Sequence, residues 1–310
     1  MSSSAVSVHG VSYHYGSFQA LDQVSFDVAH GAFFGLLGPN GSGKTTLFRI
    51  LSTLMPPEEG VCKVFGHDTT SASSNVRASI SMIFQQPSLD EELTVRENLT
   101  FHGRMYGMPA RQLRERITVL AEKMGVADRL DDRVKKLSGG LKRRADIVRG
   151  VLHKPRVLFL DEPTTALDPA ARHGFWQLLH TLRQEENLTL ILATHLLEEA
   201  EQCDEVVILD AGRVAVAGNP STLREELGNQ MLWLASQEAE KLGASIADAY
   251  AFPVQTLDNA VCLSDPKAIE ALPAFYAAFP ELIDSATIRK PTLEDVFLTT
   301  TGHQYLAQLD

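Results

Sequence analysis

The stretch G-P-N-G-S-G-K-T-T, from Gly38 to Thr46, fills every slot of the pattern G-x-x-x-x-G-K-[ST], and A-F-F-G-L-L before it reads as a buried strand. The run T-L-F-R-I-L-S-T-L that follows has helical spacing. Strand, glycine-rich turn and helix in that order make a cradle for phosphate. Gly38, Gly41 and Gly43 let backbone N–H groups aim at phosphate oxygens, with Pro39, Asn40 and Ser42 between them, and the anion then sits at a helix N-terminus, where orphan donors and the dipole favour it. Lys44 brings a positive charge to the β- and γ-phosphates, and the hydroxyl of Thr45, followed by Thr46, can ligate Mg²⁺. These residues imply a site for a nucleoside triphosphate.

The chain has 310 residues, 44% hydrophobic and 22% charged, which suffices for one large domain plus a small one. A formal net charge of -11 gives no electrostatic footprint for nucleic acid or an anionic membrane surface, so no nucleic-acid partner is expected. Cys62, Cys203 and Cys262 cannot all pair and form no C-x-x-C arrangement; they read as reduced core thiols of a cytoplasmic protein. No basic segment followed by an apolar stretch opens the chain, and no run of apolar residues is long enough to cross a bilayer.

Alternation in V-S-V-H-G-V-S-Y-H-Y and at Val24, Phe26 and Val28 predicts antiparallel strands ahead of the phosphate loop. Short strands are expected at Val61–Phe65 and Ile80–Phe84. Thr94-Val-Arg-Glu97 is a capping box that should start helical text running to about Lys136, an insertion spanning about 86–137 with a solvated, charged face. A helix over Leu141–Leu152, then strands R-V-L-F-L, Thr189–Thr194, Glu205–Asp210 and R-V-A-V-A, imply a mainly parallel core sheet covered on both faces. The nucleotide unit is thus expected over residues 5–228. Beyond a break at Gly218-Asn-Pro-Ser221, strands at Met231–Ala235, Phe252–Leu257, Ala260–Leu263 and Ala286–Arg289 alternate with helices over Gln237–Tyr250 and Ala268–Phe279. That order, with a hairpin turn at Asp258-Asn259, predicts a β-α-β-β-α-β, ferredoxin-like α+β domain over 229–310.

R-V-L-F-L-D-E-P-T-T-A-L-D-P sets Asp161 and Glu162 at the end of an apolar strand. Beside a phosphate loop, two adjacent carboxylates divide the work: Asp161 can hold Mg²⁺, and Glu162 can accept a proton from an attacking water. L-S-G-G, Leu137 to Gly140, opens a second helix with bare N–H groups around Ser138, Gly139 and Gly140. Taken in order, Tyr15, G-P-N-G-S-G-K-T-T, Gln85, L-S-G-G, L-F-L-D-E-P-T-T-A-L-D and His195 closely resemble the nucleotide-binding subunits of ATP-binding cassette (ABC) transporters. The resemblance covers residues 5 to about 218.

The resemblance implies ATP and Mg²⁺ as ligands and assigns roles position by position. Tyr15 corresponds to the aromatic that stacks on adenine, with Tyr13 as competing candidate. Gln85, with Gln86 beside it, corresponds to the glutamine that senses Mg²⁺ and the γ-phosphate and links the ATP site to the helical insertion. Ser138 and Gly140 would contact ATP held by a second subunit, Asp168 would lie at the same dimer seam, and His195 would contact the γ-phosphate. Leu141 departs from the pattern, standing where many cassettes have glutamine. Within the family, L-S-G-G-L-K-R-R-A-D and the tail P-T-L-E-D-V-F-L-T-T-T-G, Pro291 to Gly302, are most similar to ATPase subunits of daunorubicin-type exporters. That implies a homodimer or heterodimer of ATPase subunits, peripheral on the cytoplasmic face of the membrane through a separate permease. In the tail, a plain amphipathic closing helix that buries Leu293, Val296 and Phe297 is the other reading. The rival class is a soluble cassette ATPase acting on ribosomes or DNA, which commonly carries two cassettes or a coiled-coil insertion absent from this sequence.

Overall fold

The computed structural model describes residues 4–165, 167–257 and 259–302. Asp258 of the expected hairpin turn and residues 303–310 of the expected terminal domain lie outside the described residues.

Strand β1 (Val6–Tyr15) pairs antiparallel with β2 (Phe18–Val28). After β3 (Phe33–Leu37) and helix α1 (Lys44–Leu51), the chain returns to that layer through β4 (Glu59–Val64) and β5 (His67–Asp68). The resulting sheet has the order β2-β1-β4-β5. Helix α2 (Ser73–Ser79) buries only Val76, which is why no periodic pattern announces it. Strand β6 (Ile80–Ile83) then joins the second sheet, as do β7 (Val157–Asp161), β8 (Thr189–Thr194), β9 (Glu205–Asp210) and β10 (Arg213–Gly218). Its order is β10-β9-β3-β8-β7-β6, parallel except for the β9–β10 pair.

F-F-G-L-L and T-L-I-L-A-T are buried at every position, the mark of strands covered on both faces. Successive residues feed opposite cores. Phe33 and Leu37 pack with helices α3 (Val95–Met105), α4 (Ala110–Lys123), α5 (Gly139–Val151) and α6 (Pro169–Glu186), whereas Phe34 and Leu36 pack with α1 and the antiparallel layer. At about 2–3 kcal/mol for each fully buried Phe or Leu, the alternation fixes the strand register.

The capping box forms as expected, with Thr94 N–H on Glu97 Oε2 at 2.8 Å and Glu97 N–H on Thr94 Oγ1 at 3.1 Å. The expected helix to Lys136 does not: α4 stops at Lys123, and two 3-10 turns, Ala127–Arg129 and Val134–Lys136, follow. Val126, Leu130, Val134 and Leu137 are buried at helix-like spacing. Their segment is held by Val95 N–H on Asp132 O and Val134 N–H on Leu93 O, so its backbone pairs with the start of α3 rather than with itself.

Short helices α7 (Leu197–Ala200) and α8 (Pro220–Glu226) lead to the terminal module. Its strands β11 (Met231–Ala235), β12 (Gln255–Leu257), β13 (Ala260–Leu263) and β14 (Ser285–Arg289) form an antiparallel sheet of order β12-β13-β11-β14. Helix α9 (Ala239–Tyr250) and the pair α10 (Pro266–Glu270) and α11 (Leu272–Ala278) complete a ferredoxin-like unit with its own core around Leu232, Leu242 and Phe275. Strand β12 is shorter than expected, and the single helix foreseen over Ala268–Phe279 is two. The closing helix α12 (Leu293–Thr301) sends Leu293, Val296 and Phe297 into the large core of the preceding unit.

Candidate functional site

Strands β3, β8, β7 and β6 are neighbours in that order and parallel, so their carboxyl ends share one edge of the sheet, the side where such folds bind ligands. Leu37 is level with Thr194, and Asp161 with Ala193. Just beyond those ends come the phosphate loop, His195, Glu162 and, past β6, Gln85. Residues scattered through the sequence are thereby gathered by sheet order alone.

In the phosphate loop, Gly43 has φ +104°, and a Cβ there would lie 2.5 Å from the Ala20 carbonyl oxygen. Only glycine fits that conformation and that gap. Ser42 Oγ is buried with no hydrogen-bond partner among the described residues, a hydroxyl able to donate to a phosphate oxygen. Lys44 Nζ donates to Gly38 O at 2.7 Å and Pro39 O at 2.9 Å, leaving one of its three hydrogens for a phosphate. Burial lowers the pKa of this amine, opposed by the charges of Glu162 and Asp161. Together these features fit a polyphosphate.

The cleft over the loop is lined by Tyr15, Phe18, Asn40, Lys44, Thr45 and Glu162, among others. Tyr15 and Phe18 face each other across the β1–β2 turn, both exposed, while Tyr13 packs against the core and meets Tyr15 edge-on with centroids 5.0 Å apart. Tyr15 is therefore the tyrosine that faces the cleft. Phe18 is a second flat ring that the sequence reading did not include; its signal is the tight Y-G-S-F turn, which must place the two rings opposite one another.

Asp161 ends β7. Burial pushes its carboxyl pKa up, Glu162 adds to the rise, and Lys44, Arg49 and Arg143 counter it. Glu162 has φ +43°, a conformation uncommon outside glycine, with its N–H on Ala193 O at 2.9 Å. The kink turns its side chain out of the strand. Glu162 Oε1 lies 2.9 Å from His195 Nδ1, and Oε2 accepts from Gln85 Nε2 at 3.4 Å. Gln85, rather than Gln86, is thus the glutamine at the carboxylates. Behind them, buried Glu199 accepts from the Thr164 hydroxyl, and burial raises its carboxyl pKa. L-E-E-A reads as a solvated helix face, so nothing in the sequence singles Glu199 out.

The hydroxyl of Thr45, the carboxylate of Asp161 and the amide oxygen of Gln85 are hard oxygen donors that suit Mg²⁺. Among the described residues no group of three or more His, Cys, Asp or Glu could hold a metal ion.

L-S-G-G lies elsewhere. Ser138 caps α5 by accepting the Leu141 N–H at 3.4 Å, and a Cβ on Gly139 would touch nothing within 4 Å, which leaves its backbone bare. A second cleft is lined by Ser138, Gly140, Leu141, Arg144, Ala171 and Phe175, among others, and shares no residue with the Lys44 cleft. Asp168 caps the adjacent α6, accepting the Ala171 N–H at 2.9 Å. Leu141, partly buried, packs on the large core.

The family described as ABC transporter matches residues 21–165. A daunorubicin resistance ATP-binding protein of Streptomyces coeruleorubidus is 39% identical over 308 residues, 97% of each chain. The chain belongs to the ATP-binding subunits of ABC transporters. A Nod factor export ATP-binding protein of Rhizobium sp. (strain N33) is 38% identical, covering 98% of this cassette protein and 99% of the relative. Among solved structures, a dimeric ATP-binding cassette in a post-hydrolysis state bound to ADP and Pi matches with TM-score 0.62 and 27% identity, over 69% of this chain and 98% of that one. The cassette is an ATPase of a transport system, and ATP is its nucleotide.

Proposed function

We propose that two copies of this cassette, or one copy and a similar subunit, sandwich two Mg²⁺-ATP molecules head to tail, and that closure and hydrolysis drive export through a separate membrane permease. The observation that carries the reading is the separation of the clefts: Glu162 lines the Lys44 cleft, while Ser138 and Gly140 line another cleft of the same chain, with Asp168 capping the helix beside it. A second copy brings the two together. The match to a dimeric cassette and the similarity to drug-resistance and Nod factor export proteins support this.

In the proposed reaction, Glu162 takes a proton from water as the water oxygen attacks the γ-phosphorus and the bond to the β–γ bridging oxygen breaks, releasing ADP and phosphate. His195 and Gln85 hold the two oxygens of Glu162, while Lys44 and Ser42 bind phosphate and Tyr15 and Phe18 stack adenine. Mg²⁺, held through Thr45, Asp161 and Gln85, would neutralise charge on the β- and γ-phosphates.

No helix among the described residues is long and apolar enough to cross a membrane. Phe84, Phe101, Met105 and Tyr106 are exposed around Gln85 and α3, and we assign them to permease docking, which would hold the cassette at the cytoplasmic face. Residues 5–228 would form the cassette and 229–310 an accessory domain that stabilises or regulates closure. The test is to trap tagged Glu162→Gln with ATP in native membranes. A stoichiometric integral membrane protein is the expected partner; ribosomal or DNA-associated proteins alone would overturn the transport mechanism and leave the ATPase.

A further inference from the structure

The carbonyls of Phe84 and Gln85 lie past the end of β6, the edge strand, where its pairing with β7 has stopped. Among the described residues no strand supplies their donors. Arg143 supplies both, with Nη1 2.5 Å from Phe84 O and Nη2 2.6 Å from Gln85 O. Its side chain is only 4% exposed and reaches across from the second turn of α5, the helix that Ser138 caps.

Arg143 does not act alone. Asp146 and Arg149 follow at spacings of three, so all three side chains share one face of α5. Fully buried Asp146 lies 3.7 Å from Arg143 Nη1, accepts Arg149 Nε at 2.8 Å and accepts the Ser88 N–H at 3.3 Å. Arg149 Nη2 reaches Met82 O at 3.3 Å. The segment Met82–Ser88 is thus pinned at four backbone points by one charged face of α5. Three formal charges in a dry place are costly unless they satisfy one another and nearby polar groups, and here those groups are the backbone that carries Gln85.

We propose that Arg143 is a positioning residue: it fixes the backbone of Gln85 so that the amide reaches Glu162, and it makes the Gln85 segment move as one body with the helix that opens on Ser138-Gly139-Gly140. This rests on the reading of Gln85 and Ser138 given under the proposed function. Movement of Ser138 toward a second subunit's ATP is then transmitted to the Gln85 amide at the chain's own carboxylates. Lysine is a poor substitute for Arg143, because a single nitrogen would have to reach both carbonyls that the guanidinium meets with two separate nitrogens held in a planar fork.

The experiment uses the full chain without nucleotide. Hydrogen exchange is followed for residues 82–88 in the parent, Arg143→Lys and Arg143→Met; the lysine variant keeps a charge beside Asp146 and so protects folding. The Ser88 amide should exchange about tenfold faster in both variants, while the amides of α5 keep their protection. In parallel, ATP turnover is measured for Arg143→Lys, Gln85→Ala and the double variant. Arg143→Lys should lower kcat about tenfold with KM little changed, and should have almost no further effect once Gln85 is alanine. Unchanged exchange over 82–88, or losses that multiply independently, would overturn the link. Normal turnover in Gln85→Ala would instead refute the role of Gln85, and the exchange data would still decide whether Arg143 holds the segment.

Discussion

His195 Nδ1 and Glu162 Oε1 are 2.9 Å apart, both side chains are about four-fifths buried, and they come from the ends of adjacent strands, β8 and β7. The contact directs the carboxylate into the cleft and leaves Oε2 to Gln85. His195→Ala should therefore lower kcat by about a hundredfold or more, the scale of a misplaced general base, while ATP affinity changes little. Single-turnover kinetics beside equilibrium binding of a fluorescent ATP analogue would check this; a parallel loss of affinity would make His195 chiefly a binding residue.

Gly43→Ala should abolish ATP binding. The added methyl meets the Ala20 carbonyl at 2.5 Å, and the residue sits at φ +104°, so either the loop or the β2 backbone must move. Far-UV circular dichroism should show a folded chain, and the same fluorescent analogue should show no saturable binding. Retained binding would mean that the loop opens without disturbing the phosphate cradle.

The phosphate loop, the carboxylates and the parallel sheet were legible because each is written locally: a fixed glycine spacing, a fully apolar strand, an acidic pair at its end. The choice between Gln85 and Gln86 was not, since it depends on which side chain points at Glu162 from the loop past β6. Arg143 shows the same limit, for L-K-R-R gives no sign of which cation turns inward. The helical text expected to Lys136 failed for a related reason. Val126, Leu130, Val134 and Leu137 keep helical spacing, yet the backbone at Leu130, Asp132, Val134 and Lys135 bonds to residues 91–96, and a long-range partner of that kind leaves no periodic trace.

His102, on α3, has its pKa lowered from 6.5 to about 4 by burial and by the nearby charges of Arg149 and His153. Its folded pKa lies below the unfolded value, so between those two pH values the unfolded chain binds a proton that the folded chain excludes. Stability should therefore fall as pH drops from 6.5 toward about 4. His102→Phe should flatten part of that fall. His153, whose pKa is also lowered by burial, should retain the rest. Urea midpoints at about pH 7 and about pH 5 decide it, and equal losses in parent and variant would exclude His102 as the source.

The closing helix α12 should matter to the cassette and not to the terminal module alone. Asp295 is fully buried, takes both arms of Arg289 at 2.7 and 2.8 Å, and closes a capping box with Thr292. That locks α12 to β14, while Phe297 enters the core shared with α5 and α6. Arg289→Ala would leave the Asp295 carboxylate unpaired and should cost about 1–3 kcal/mol, less than in a fully buried pair because the guanidinium is partly exposed, and Phe297→Ala should cost about 3–5 kcal/mol through the cavity it leaves. Both variants should then lower the unfolding midpoint of the nucleotide-binding unit itself, read as loss of ATP binding in urea. If ATP binding persists to the parent midpoint while the terminal module unfolds early, α12 belongs energetically to the module, and its packing on the large core adds no stability to the nucleotide-binding unit.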